Sequence, residues 1–183
     1  MAVAGPNYAG AGASQAGVGT AAWSTPANIV SDNSTYASAN PVAGGQSQYL
    51  VASSFGFAIP TGSTIDGIVV EIDRKRAATT TFVDNQIRIV KGGSIGATDK
   101  ASATGYTTSE VVATYGSSTD LWGETWTAED INASNFGAAI SVKNTGVKFT
   151  ANAFVDFIRI TVYYTEGASA PAYVSRMTLM GVG

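Results

Sequence analysis

The stretch STIDGIVVEIDR, residues 63–74, places Ile68, Val70 and Ile72 on one face and Val69, Glu71 and Asp73 on the other. Alternation with period two marks a strand with one face buried, and it restricts the fold more than any other feature of the chain. FVDFIRITVYY, residues 154–164, repeats it over a longer span. Phe154, Asp156, Ile158, Ile160, Val162 and Tyr164 alternate with Val155, Phe157, Arg159, Thr161 and Tyr163. Bulk on both faces suits a central strand between layers. QYLVASSFGF, NQIRIVK, EVVATYG and FGAAISVKN read as further strands, joined by connections rich in Gly, Ser, Thr, Asn and Pro. No amphipathic helix separates them, so parallel βαβ architectures fit poorly.

These runs predict an all-β chain, an antiparallel β-sandwich of jelly-roll-like form with one short helix and extended N- and C-terminal arms. The domain occupies residues 23–166. Residues 1–22 are mostly Gly and Ala and read as an N-terminal arm, with Tyr8, among its few larger apolar side chains, as a candidate partner-binding residue. Residues 167–183 read as an apolar C-terminal arm in which Tyr173, Val174, Met177, Leu179 and Met180 are candidate partner-binding residues.

Residue types limit the chemistry. The 183-residue chain has no cysteine and no histidine. That removes thiolate and imidazole catalysis, disulfides, and metal sites built on Cys or His. Its net charge of −3, with one basic cluster at Arg74, Lys75 and Arg76, argues against nucleic acid as a partner. The basic cluster reads as a solvated strand end. Charged residues make up 13% of the chain and hydrophobic ones 45%, which fits either a low-charge monomer or a surface covered by neighbours in an assembly. No apolar run approaches the roughly 20 residues of a membrane helix, and the N-terminus lacks secretory features. Assembly in the cytoplasm is the expectation.

The segment LWGETWTAEDINASNFG, residues 121–137, concentrates aromatics and acids. Thr127 has the position of a helix N-cap and Asp130 that of its capping-box partner. Trp122, Trp126 and Phe136 then complete a structural corner by packing. As alternatives, Glu124 with Asp130, or Glu71 with Asp73, offer carboxylate pairs of the kind glycosidases need. Trp122, Trp126, Tyr106 and Tyr115 offer rings for sugar stacking. Acids placed for capping or for surface pairs already have a structural use, so no catalytic residue is assigned. SDNSTY and FVDNQ read as Asx-turns rather than calcium loops, and KGGSIG as a hairpin. No metal ligand or cofactor is expected.

Four blocks, WSTPANIVSDNSTY, YLVASSFGFAIPTGSTIDGIVVEIDR, DLWGETWTAEDINASNFGAAI and FVDFIRITVYYT, span most of residues 23–165. In them the chain resembles β-sandwich structural proteins of tailed-bacteriophage virions. The resemblance implies a non-enzymatic virion component with no catalytic residues to carry over. Taken with the arms, it implies a head decoration or cement protein on the capsid exterior. Such a protein bridges neighbouring major capsid proteins and copies of itself as a homo-oligomer, without nucleic acid or membrane. The alternative is a tail, neck or fibre component, with glycan binding as a further role.

Overall fold

The computed structural model describes residues 1–77, 80–147 and 151–167. Two antiparallel sheets form a sandwich. The first contains β3 (Trp23–Ser24), β4 (Ala37–Ala39), β11 (Ala153–Thr165), β6 (Thr64–Arg76) and β9 (Val111–Ser117) in that order, with β1 (Ala2–Tyr8) also paired to β11. The second runs β2 (Ala11–Gln15), β5 (Tyr49–Ser53), β10 (Gly137–Asn144), β7 (Phe82–Lys91) and β8 (Ser94–Ile95). A 3₁₀ turn at Pro26–Ile29 and helix α1 (Ala128–Asn132) complete the elements. Among the described residues no helix is long and apolar enough to cross a membrane.

The core follows the alternation. Ile68, Val70 and Ile72 of β6 and Val155, Ile158, Ile160 and Val162 of β11 face inward from the first sheet. Leu50, Phe82, Ile87, Ile89, Ile140 and Val142 meet them from the second. Each such side chain contributes about 1.5–3 kcal/mol by leaving water. FVDNQ lies inside β7 and forms no turn: Phe82 and Asp84 point inward, so the Asp-Asn pair belongs to a strand. The KGGSIG hairpin joins β7 to β8, with Lys91 opposite Ser94.

Strict alternation fails at one place in β11. Val155 pairs with Arg74 and Ile158 with Ile72, so Asp156 and Phe157 together stand opposite Asp73. This β-bulge resets the parity of the strand. Phe154 and Asp156 therefore share the outer face with Arg159, Thr161 and Tyr163 rather than the inner face with Ile158.

The N-terminal segment differs from the arm expected of its composition. β1 pairs with β11, Tyr8 lying opposite Arg159, and β2 pairs with β5. The chain crosses between sheets at Ala9 and Gly10, whose amides donate to the Ile158 and Ser53 carbonyls at 3.0 Å. Small residues here mark close backbone approach. A Cβ on Gly12 would run into the Pro26 carbonyl oxygen, and one on Gly19 into that of Gln46. Residues 1–22 are thus largely part of the sandwich. The apolar C-terminal candidates Tyr173, Val174, Met177, Leu179 and Met180 lie outside the described residues.

Candidate functional site

The corner at 121–137 is internal. Thr127 Oγ1 accepts from the Asp130 amide at 3.1 Å, and the Asp130 carboxylate accepts from the Thr127 amide at 3.0 Å, a reciprocal capping box. Burial pushes the Asp130 carboxyl up, but the Thr127 amide and hydroxyl and Lys91 outweigh it and hold the pKa below the usual value. Trp122 is 1% exposed and its indole N–H donates to the Ile68 carbonyl at 3.0 Å. Trp126 is half-buried, donates to the Leu121 carbonyl, and sets its ring edge-on to Phe136 with centroids 5.4 Å apart. Neither tryptophan presents a free face, since Lys91 also sits over the Trp126 ring.

Tyr106 and Tyr115 are no stacking platform either. Both are buried and donate their hydroxyls to Asp84, at 3.0 and 2.7 Å. Asp84 also accepts from Arg74 and from the Ser102 amide. Arg74 was expected at a solvated strand end, but it is 7% exposed and its guanidinium lies 4.2 Å from the Tyr106 ring centroid. The reason is phase: Arg74 is the next inward position after Ile68, Val70 and Ile72. The network joins β6 and β9 of one sheet to β7 of the other. Burial opposes the Arg74 charge, yet Tyr106, Asp84 and Tyr115 together keep its pKa raised. Burial and Asp84 push both tyrosines well up. A shallow pocket beside it, lined by Arg74, Thr104, Gly105, Tyr106, Thr107 and Val111, contains no carboxylate.

Chemistry facing solvent gathers instead on the outer face of the six-stranded sheet. Arg159 donates to both oxygens of Glu71, at 2.9 and 3.2 Å, and reaches the Tyr8 hydroxyl at 3.5 Å. The Glu71 bonds raise the Arg159 pKa. Tyr8 stands edge-on to Phe157, centroids 5.3 Å apart, so this candidate partner-binding residue packs on its own chain. Farther along, Lys75 Nζ sits 3.8 Å above the Tyr36 ring and 3.2 Å from Glu110. Tyr36 also donates to Glu110 and packs edge-on to Phe154 at 5.6 Å. Its hydroxyl and Lys75 hold the Glu110 pKa down. Tyr8, Tyr36, Phe154 and Tyr163 are half-exposed, and Val3, beside Tyr163 across β1, is 56% exposed.

Three carboxylates meet at the bulge. Asp73, Asp156 and Asp32 each bring an oxygen within 4.8 Å of the others. The loop at 30–36 folds over β11, where Val30 bridges Phe157. There Asp156 accepts from the amides of Asn33, Ser34 and Thr35 at 3.1–3.2 Å. Within SDNSTY, Asn33 does form an Asx-turn, accepting from the Thr35 amide at 2.9 Å. Burial, followed by Glu110, Asp156 and Asp32, raises the Asp73 pKa to about 6. Neither carboxylate pair suggested by spacing survives as a free pair. Glu71 is tied to Arg159, Asp73 belongs to the trio, and Asp130 serves the cap. The trio lacked a local signal because its members come from two strands and a loop.

No family model matches the chain, and no curated protein matches it. Among solved structures, it is similar to one described as "CBM4 structure and function" at 16% identity and TM-score 0.40, covering 70% of this chain and 85% of that one. It is also similar to the CBM22-1 xylan-binding domain of Paenibacillus barcinonensis Xyn10C at 9% identity and TM-score 0.40, covering 85% and 88%. A third likeness is to the enzymatically active domain of bacteriophage CBA120 tailspike protein 4, at 13% identity and TM-score 0.37. It covers 87% of this chain and 19% of that one.

Proposed function

We propose that this chain is a non-enzymatic virion component of a tailed phage, placed in the tail or fibre, whose contact surface is the outer face of the six-stranded sheet. The observation that carries the reading is that face itself: half-exposed Tyr8, Tyr36, Phe154 and Tyr163 lie among the paired charges Arg159–Glu71 and Lys75–Glu110. Rings that are apolar on their faces and polar at their tips, flanked by fixed donors and acceptors, suit a hydrated ligand such as a host-surface glycan. The phage assignment draws on the four sequence blocks quoted above.

A head-cement role has less support. It relies on free arms that lend backbone hydrogen bonds to neighbouring sheets, whereas β1 and β2 spend theirs on β11 and β5 of the same chain. Glu71 and Asp130, one member of each carboxylate pair, have structural partners, which supports a binding rather than a hydrolytic role. The test is binding of the purified chain to host cells and to arrayed glycans, repeated with Tyr163→Ala and Arg159→Ala. Binding that drops about tenfold or more in either variant, with melting unchanged, supports the face. Full binding by both variants contradicts it.

A further inference from the structure

We propose that Asp32, Asp73 and Asp156 form a calcium site that pins the 30–36 loop to β6 and β11. Their oxygens lie within 4.8 Å of one another. Two ligands bound to one calcium ion at about 2.3–2.6 Å are separated by no more than about 5 Å, so the spacing fits a single ion. A carboxylate cluster alone could be repulsion tolerated at a surface. Asp73 argues against that, because it is 6% exposed and its Oδ1 is buried without a hydrogen-bond partner. A buried carboxylate oxygen left unmatched beside two other carboxylates is costly unless a cation completes it.

The protein supplies no such cation among the described residues. Arg74 is spent on Asp84, Lys75 on Glu110 and Arg159 on Glu71. Asp156, 1% exposed, has its two oxygens fixed by three backbone amides. A carboxylate offers about four lone-pair directions, so one remains for an ion. Asp32 is exposed and gives the site a mouth through which water can fill the remaining positions. A donor set of oxygens alone selects a hard cation, and a partly loop-built, irregular set suits calcium better than the strict octahedron of magnesium. The site does not depend on the binding face proposed above, although the loop it pins leads directly into Tyr36.

The test is calorimetric titration of the chelator-treated full chain with calcium chloride and, separately, magnesium chloride, together with thermal unfolding in each. One calcium per chain, a melting point raised by several degrees and a weaker magnesium response are expected. Asp73→Asn should abolish the response, and Asp32→Asn, which changes an exposed side chain, should weaken calcium binding by about tenfold or more while the chain stays folded. Half-buried Asp66→Asn, which lies outside the trio, should retain it. The proposal is overturned if calcium at about 1 mM neither binds nor shifts melting of the unsubstituted chain, or if Asp73→Asn and Asp32→Asn respond as the unsubstituted chain does.

Discussion

Arg74 shows how much one inward position can demand. Its guanidinium and the Asp84 carboxylate are both removed from water, and two tyrosine hydroxyls and an amide satisfy the rest of Asp84. Arg74→Met keeps the volume but leaves Asp84 charged and short of its partner, which should cost about 3–5 kcal/mol in denaturant unfolding. Pairing it with Asp84→Leu should recover part of that loss, because the orphaned charge goes too. The phase of β6 already placed Arg74 inward. What was not legible was the acceptor, since Asp84 looked like part of a turn. At the corner, Thr127→Ala removes the hydroxyl that caps Asp130 and should cost about 1 kcal/mol at neutral pH. The lowered Asp130 pKa sets the sign of the pH dependence. A carboxyl with a depressed folded pKa contributes stability above its unfolded value of about 3.9 and loses it as pH falls through the folded value. The gap between Thr127→Ala and the unsubstituted chain, measured by melting against pH, should therefore shrink in that acid range. A gap constant with pH would mean that the cap does not depend on ionised Asp130.

At the level of elements, the strands were legible because burial enforces period two, and β6, β7, β9, β10 and β11 lie where the alternating runs predict them. The bulge was not legible, because a single inserted position leaves the composition of β11 unchanged while moving Asp156 to the other face. That displacement is also what hid the aspartate trio. The N-terminal strands were hidden for a different reason. Gly and Ala cannot nucleate a core, but they can lie flat against one already formed, and their fit under Pro26 and Gln46 is invisible without those partners. Deleting residues 1–15 should therefore destabilise the sandwich itself. It strips the β5 edge and the upper half of one β11 edge, and removes the Ser14 hydroxyl that accepts from the Trp23 amide. A loss of about 2–5 kcal/mol in unfolding free energy, read from denaturant unfolding, is expected, comparable with emptying a core position. A truncated chain as stable as the full one would return the segment to the status of an arm.

Across the whole molecule, the sparse charge is largely consumed in pairs, and six ion pairs join described residues. What remains to meet a partner is aromatic and polar, concentrated on one sheet face, whereas of the rings that composition first suggested for sugar stacking Trp122, Tyr106 and Tyr115 are buried and Trp126 is half-buried against Phe136. The sequence thus indicated that rings matter without indicating which rings face outward, because exposure depends on strand parity and on what each loop covers. On the function proposed above, the molecule acts through where it sits and what its face touches. Antibody labelling of purified phage particles measures that most directly. Label on the tail or its fibres is expected, and label distributed over the head lattice would overturn the tail or fibre placement.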